Sequence, residues 1–240
     1  MAEKLGPVAR DVIERNLAKV RDRIAGAASR AKRTPADVRL IAVTKYVSPA
    51  EVKMLIELGV SEIGENRIQE AETKKETLSL FPGACFHLIG HLQTNKADKA
   101  VRLFNFIHSI DSERIASALN KEAQKAGVPA IPCLLEVNVA GEANKFGIPP
   151  DESAIAQLVE RFKSLPGLKV TGLMAMAPFA ENPEPTSRPV FRRLRELRDA
   201  VALRTGTPLP ELSMGMTQDF EIAIEEGATM VRVGSALFES

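Results

Sequence analysis

The sequence predicts an α/β fold, a closed (β/α)8 TIM barrel with one extra helix at its N-terminus. Three observations predict it. Short apolar runs alternate with amphipathic stretches from residue 38 to the end. Eight such runs occur, and each is followed by a helical pattern. The turn after the first run has no glycine-rich dinucleotide signature, which weighs against a doubly wound open sheet. A chain of 240 residues that is 45% hydrophobic suits one barrel domain over residues 1–240, with the extra helix at about 8–31 and the barrel from about 38.

The extra helix runs from about Val8 to Ala31, with Val12, Ile13, Leu17, Val20 and Ile24 on one stripe. Strand 1 is the run from Val38 to Lys45, and Ser48-Pro49 starts a helix that reaches Leu58. Strand 2 is Ser61 to Gly64, and Glu65-Asn66-Arg67 leads into a charged helix. Strand 3 is Cys85 to Ile89, with a helix from about Thr94. Strand 4 is Phe106 to Ile110, with Asp111 or Ser112 capping the helix after it. Strand 5 is Ile131 to Val139, and its helix runs from about Asp151 to Leu165. Strand 6 is Lys169 to Met174. The prolines then predict a long loop, Pro178 to Pro189, before a helix from Val190 to Thr205. Strand 7 is Glu211 to Met214 with a helix from Asp219 to Glu226. Strand 8 is Met230 to Val233, and Gly234-Ser235 opens a last helical turn.

The bulk composition excludes several classes. A net charge of +1 provides no general field for nucleic acid or anionic lipid. With no tryptophan and a single tyrosine, Tyr46, base stacking on a nucleic-acid platform is disfavoured. No apolar run is long enough to cross a bilayer, and the N-terminal residues lack the apolar core of a signal peptide. Cys85 and Cys133 each fall inside a strand and read as buried thiols. The expectation is a cytoplasmic, reduced protein, acting as a monomer, with no membrane or nucleic-acid partner.

Candidate chemistry starts at Lys45. Strand alternation places Ile41, Val43 and Lys45 on one face, which aims an amine into the body of the fold. A desolvated amine has a lowered pKa and can form a Schiff base with an aldehyde. A lone lysine of this kind can equally end a strand in water. In such barrels, active sites lie at the C-terminal strand ends, and phosphate often sits at the loops after strands 7 and 8. Here those loops are Ser213-Met-Gly215-Met-Thr217 and Gly234-Ser235, with glycine for close approach and hydroxyls for an anion. Either loop alone reads as helix capping by Thr217 and Ser235. On strand 8, Met230 and Arg232 share the face expected to point inward. A buried guanidinium needs an acceptor, and a pyridine nitrogen or the carboxylate of Glu136 would serve.

The motifs Ala-Val-Thr-Lys45, Glu-Ile-Gly-Glu-Asn66, Phe-His-Leu-Ile-Gly-His-Leu-Gln-Thr-Asn-Lys96, Gly-Leu-Met-Ala-Met176, Leu-Ser-Met-Gly-Met-Thr-Gln-Asp219 and Gly-Ala-Thr-Met-Val-Arg-Val-Gly-Ser235 together carry a resemblance. From residue 8 onward the chain resembles the pyridoxal 5′-phosphate (PLP) homeostasis proteins, which share the barrel of the alanine racemase N-terminal domain. The resemblance implies PLP held as an aldimine on Lys45. It implies that Ser213, the Met214 backbone, Gly234 and Ser235 hold the phosphate, that Arg232 meets the pyridine nitrogen, and that Asn66 lies close to the cofactor. Thr217 and Gln218 stand where a smaller pair such as Ser and Gly is expected, although threonine keeps the hydroxyl.

Other candidates are weaker. His87 and His91 are four apart, but the segment is a strand and a glycine turn, not a helix that would align two zinc ligands. The arginines between Arg188 and Arg204 are interleaved with Glu196 and Asp199, as on a solvated face. Lys145 is a second amine at the functional rim, and the Pro178 to Pro189 loop is a candidate lid.

The expected role is intracellular PLP homeostasis, buffering or delivering the cofactor to PLP-dependent apo-enzymes without turnover. The alternatives are an amino-acid racemase and an aldolase using Lys45. Racemisation needs a base on each face of the substrate. Alanine racemases take the second, a tyrosine, from an additional domain, and Tyr46 is expected to leave the strand on the face opposite Lys45. The aldolase lacks an evident acidic relay, with Glu65 the nearest candidate.

Overall fold

A computed structural model describes residues 8–142 and 146–239. Lys145 lies outside the described residues. Eight parallel strands close into a barrel in sequence order: β1 (Arg39–Val43), β2 (Glu62–Glu65), β3 (Cys85–Leu88), β4 (Phe106–Ile110), β5 (Ile131–Glu136), β6 (Leu168–Met174), β7 (Glu211–Met216) and β8 (Met230–Val233). The helices are α1 (Arg10–Arg30), α2 (Pro49–Glu57), α3 (Ile68–Ser79), α4 (Ala97–Leu103), α5 (Glu113–Ala126), α6 (Glu152–Phe162), α7 (Glu184–Thr205), α8 (Phe220–Glu225) and α9 (Ser235–Phe238). The barrel with an added N-terminal helix is the architecture expected from the alternation of periods. None of the described helices is long and apolar enough to cross a membrane.

The apolar stripe of α1 buries Ile13, Leu17, Val20 and Ile24. This helix packs on α8 and α9, where Arg23 donates to Glu221 at 2.7 Å and Asn16 donates to the Glu239 carbonyl at 2.7 Å. It therefore braces the elements that follow β7 and β8. Helix α2 starts at a capping box in which the Ser48 amide donates to Glu51 at 2.6 Å.

Two cores result. Outward-facing strand residues pack against the helices. Inside the barrel, Ile41, Phe106, Leu134, Met174 and Met230 form a separate apolar cluster.

Several boundaries differ from expectation, most by one to a few residues, and four of these differences bear on the site or its supports. Strand β1 stops at Val43, because Thr44 begins a turn in which Tyr46 adopts a left-handed backbone (φ 71°). Strand β5 stops at Glu136, and only Val137 pairs further, with Ile148. Strand β7 runs on to Met216 through an irregular register at Gly215 (φ 90°), where a Cβ would meet the Ala223 Cβ at 2.5 Å. Helix α7 begins at Glu184, so Pro185 and Pro189 lie inside it and the expected loop shrinks. Pro185 sits in the first turn, where no donor is needed. The interior cost of Pro189 is offset by burial of Val190 and Phe191 and by Ser187, whose hydroxyl donates to Asp219 at 2.8 Å.

Candidate functional site

A cleft of about 530 Å³ opens at the C-terminal end of the barrel. Lys45, Asn66, Thr217, Arg232, Gly234 and Ser235 supply its polar wall. Val43, Ile89, Met176, Phe179 and Met216 supply an apolar one. A second opening of about 620 Å³ lies beside it, at His91, Asp111 and Phe146. There His91 pairs with Asp111 at 3.2 Å and stacks on Phe146 with ring centroids 3.6 Å apart. His87 is fully buried within the barrel, so the two histidines do not form a pair.

Lys45 is exposed and lines the cleft from the turn after β1. The expectation of a desolvated strand lysine is corrected: the strand has ended two residues earlier, and the amine stands at the mouth in reach of water. Alternation likewise does not govern Tyr46. Its half-buried ring centroid lies 6.0 Å from the Lys45 Nζ, and Tyr46 is not among the residues that line the cleft.

Beneath this turn lies a buried ion pair that the sequence reading missed. Lys74 on α3 meets the Glu65 carboxylate and donates to the Thr44 carbonyl at 2.6 Å, while the Thr44 hydroxyl donates to Glu65 at 2.7 Å. Glu65 is thus tied to the end of β1 through Oε1, while its Oε2 is buried without a hydrogen-bond partner. The available signal was spacing. Ile68, Ala71 and Lys74 recur every three residues on one helical face, and all three are buried.

Asn66 reaches the cleft from the end of β2, and its Oδ1 is buried without a hydrogen-bond partner. Gly90 makes this placement possible, since a Cβ there would lie 2.2 Å from the Asn66 carbonyl oxygen. A buried orphan acceptor facing a cleft fits a ligand that supplies a donor.

The loops after β7 and β8 meet at the cleft, where the Gly234 N–H reaches the Thr217 hydroxyl at 3.4 Å. Gly234 and Ser235 line the opening at the start of α9. Ser213 and Met214 do not line it. Because β7 continues to Met216, Ser213 is buried in the barrel interior and the Met214 side chain packs among the outer core. Asp219 secures the β7 loop, accepting from the Met216 amide at 2.7 Å and from Ser187.

Arg232 faces inward, as the alternation of β8 predicts, and is 4% exposed. It donates to the Ser213 hydroxyl at 2.6 Å and to the Ala175 carbonyl at 3.1 Å. Glu136 acts on it at longer range, not as a direct pair. Burial pushes the guanidinium pKa down to about 10, against the attraction of Asp219 and Glu136. It stays cationic at neutral pH and keeps donors for an acceptor in the cleft. Burial and Asp111 together push the Glu136 carboxyl up to about 7.

The alanine racemase N-terminal domain family matches residues 11–240. A pyridoxal phosphate homeostasis protein of Aquifex aeolicus is 42% identical over 222 residues, covering 92% of this chain and 95% of its own. This chain belongs to the pyridoxal phosphate homeostasis proteins. A second member, from Pseudomonas aeruginosa, is 42% identical over 231 residues and covers 94% of each chain. Among solved structures, PipY of Synechococcus elongatus with PLP bound superposes with a TM-score of 0.82 at 32% identity, covering 94% of this chain and 99% of that one. Membership agrees with the motif resemblance and with the barrel.

Proposed function

We propose that this chain binds PLP covalently through Lys45 and takes part in intracellular PLP homeostasis by holding the cofactor and releasing it to apo-enzymes. The carrying observation is that one cleft gathers an exposed amine, a buried guanidinium and two hydroxyl-bearing loops at a helix start. These are the groups that an aldehyde, a ring nitrogen and a phosphate require. The names of the curated relatives and the PLP-bound PipY structure support the same reading.

In this proposal Lys45 would hold the cofactor through its amine. Thr217, Gly234 and Ser235 hold the phosphate, in place of the Ser213 and Met214 contacts implied by resemblance. Ser213 acts one layer deeper, through Arg232. Asn66 offers its unpartnered oxygen. When bound, PLP would supply an electrophilic carbon and an electron-withdrawing ring, and Arg232, always a donor, would keep the ring nitrogen it meets unprotonated. Because Lys45 stands exposed at an open mouth, it would be within reach of an incoming amine, which would let the cofactor be released. We read the chain as a single-domain monomer acting in the cytoplasm without turnover of its own.

The test is an absorbance spectrum with PLP before and after borohydride reduction, followed by peptide mass mapping. A reduced adduct on the Lys45 peptide supports the reading, and an adduct scattered over surface lysines overturns it. Delivery is tested by mixing loaded protein with a PLP-requiring apo-enzyme. Activation no faster than that by free PLP at its equilibrium concentration removes delivery and leaves buffering.

A further inference from the structure

A chain of polar groups crosses the barrel interior from the Arg232 guanidinium to its other end. Arg232 donates to Ser213 Oγ at 2.6 Å. Ser213 Oγ lies 2.8 Å from His108 Nδ1. His108 Nε2 lies 2.9 Å from His87 Nδ1. His87 Nε2 meets the Glu62 carboxylate. Ser213, His108 and His87 are at most 1% exposed, whereas Glu62 lines a separate cleft at the N-terminal end of the barrel.

Only one proton order satisfies every member. Burial holds both histidines below their ordinary pKa, so each is neutral with a single N–H. Burial, the largest influence, would raise the Glu62 carboxyl, but the contact with His87, the Arg39 charge and the Cys85 hydrogen bond together hold it below its ordinary value, so it stays ionised at neutral pH. A carboxylate only accepts, so His87 carries its proton on Nε2. His87 Nδ1 then accepts, and His108 must carry its proton on Nε2 as well. His108 Nδ1 accepts the Ser213 hydroxyl hydrogen, which leaves the Ser213 oxygen free to accept from Arg232. The reversed order would leave the Ser213 hydroxyl hydrogen with no acceptor in the chain and set a bare imidazole nitrogen against the Glu62 carboxylate.

We propose that Glu62, His87 and His108 are positioning residues for Arg232: the one-way chain that ends at Glu62 keeps the Ser213 oxygen an acceptor and so fixes the guanidinium that meets the cofactor ring. This rests on the reading that Arg232 meets the ring nitrogen of PLP. Bonds in such a chain polarise one another in the dry interior, so the far end acts on the near one.

The same order explains why Glu62, Cys85 and His87 do not make a ready metal centre, although their ligand atoms lie within 4.8 Å of one another. A metal on His87 Nε2 would have to reverse both histidines and turn the Ser213 hydroxyl. The Cys85 thiol, pushed up to about 12 by burial and by Glu62, would also have to lose its proton.

Two measurements test the proposal. In the PLP-free protein, nitrogen NMR of labelled histidines should show His87 and His108 neutral and protonated on Nε2. An Nδ1 proton or an imidazolium at either position overturns the chain. With PLP bound, Glu62→Leu removes the terminal acceptor and should weaken affinity about fivefold and shift the visible band. Glu62→Gln, whose carbonyl still accepts, should stay within about twofold of the parent. A Glu62→Leu protein with parental affinity and spectrum overturns the proposal. Should that variant not fold, the parental tautomers decide. Arg232→Gln separates the layers. If it leaves band and affinity unchanged, the ring-nitrogen reading falls and takes this proposal with it. If it alters them while Glu62→Leu does not, only the positioning role falls.

Discussion

Lys74 and Glu65 form an ion pair from which water is almost wholly excluded, their side chains being 1% and 0% exposed. The pair is tied to Thr44 and so lies under the turn that presents Lys45. Lys74→Met leaves a buried carboxylate with no countercharge and should cost about 3–5 kcal/mol in urea unfolding. Combining it with Glu65→Leu should recover most of that loss, since two apolar residues need no compensation. A single variant that loses less than about 1 kcal/mol would show that the pair is hydrated in solution.

Glu136 should make the protein less stable as pH rises. Its folded pKa, about 7, lies above the ordinary carboxyl value, so the folded state binds the proton more tightly than the unfolded chain. The stability this provides is complete below the unfolded pKa and is lost as pH rises through about 7. Glu136→Gln, permanently neutral, should be more stable than the parent by about 1–3 kcal/mol near pH 8, with the gain shrinking toward acidic pH. Denaturation at several pH values reads this directly. A gain that grows on acidification would contradict it.

Two glycines should respond in opposite ways to alanine. A Cβ at Gly90 would sit 2.2 Å from the Asn66 carbonyl oxygen, whereas one at Gly83 would meet nothing within 4 Å. Gly90→Ala should cost about 1–3 kcal/mol and weaken PLP binding by displacing Asn66. Gly83→Ala should leave binding unchanged and stabilise by up to about 1 kcal/mol through the unfolded chain. Thermal melts together with PLP titration distinguish the two.

Thr217→Val and Ser235→Ala each remove a hydroxyl from the opening where β7 and β8 end. A hydrogen bond to a charged group contributes about 1.5–3 kcal/mol, so each variant should bind PLP about ten- to a hundredfold more weakly. Pyridoxal, which lacks the phosphate, should bind both variants as it binds the parent. Equal losses for the two ligands would place the phosphate elsewhere.

Zinc offers a check on the interior proton order. Because His87 Nε2 is committed to Glu62, equimolar zinc should leave the melting temperature of the PLP-free protein unchanged. A rise that disappears in Cys85→Ser would mean that the metal reverses the chain.

The sequence by itself determined the eight-strand alternation, the added helix and the inward face of β8 that carries Arg232. These features depend on local periodicity, and periodicity is written in residue order. It also placed Gly234 and Ser235 at a strand end, where barrels present their loops. Tertiary structure decided what periodicity does not encode. Where a strand stops depends on its neighbours: β1 ended two residues before Lys45 and β7 ran two beyond Met214, which moved the lysine into water and Ser213 into the interior. Helix α7 kept its prolines because buried side chains and Asp219 outweigh local propensity. The pairing of Lys74 with Glu65 and the path from Glu62 to Arg232 join residues on different elements. The Lys74–Glu65 pair needs only α3 to fold back onto β2, whereas closure of the barrel is what brings His108 to Ser213, and the dry interior it creates makes their hydrogen bonds decisive.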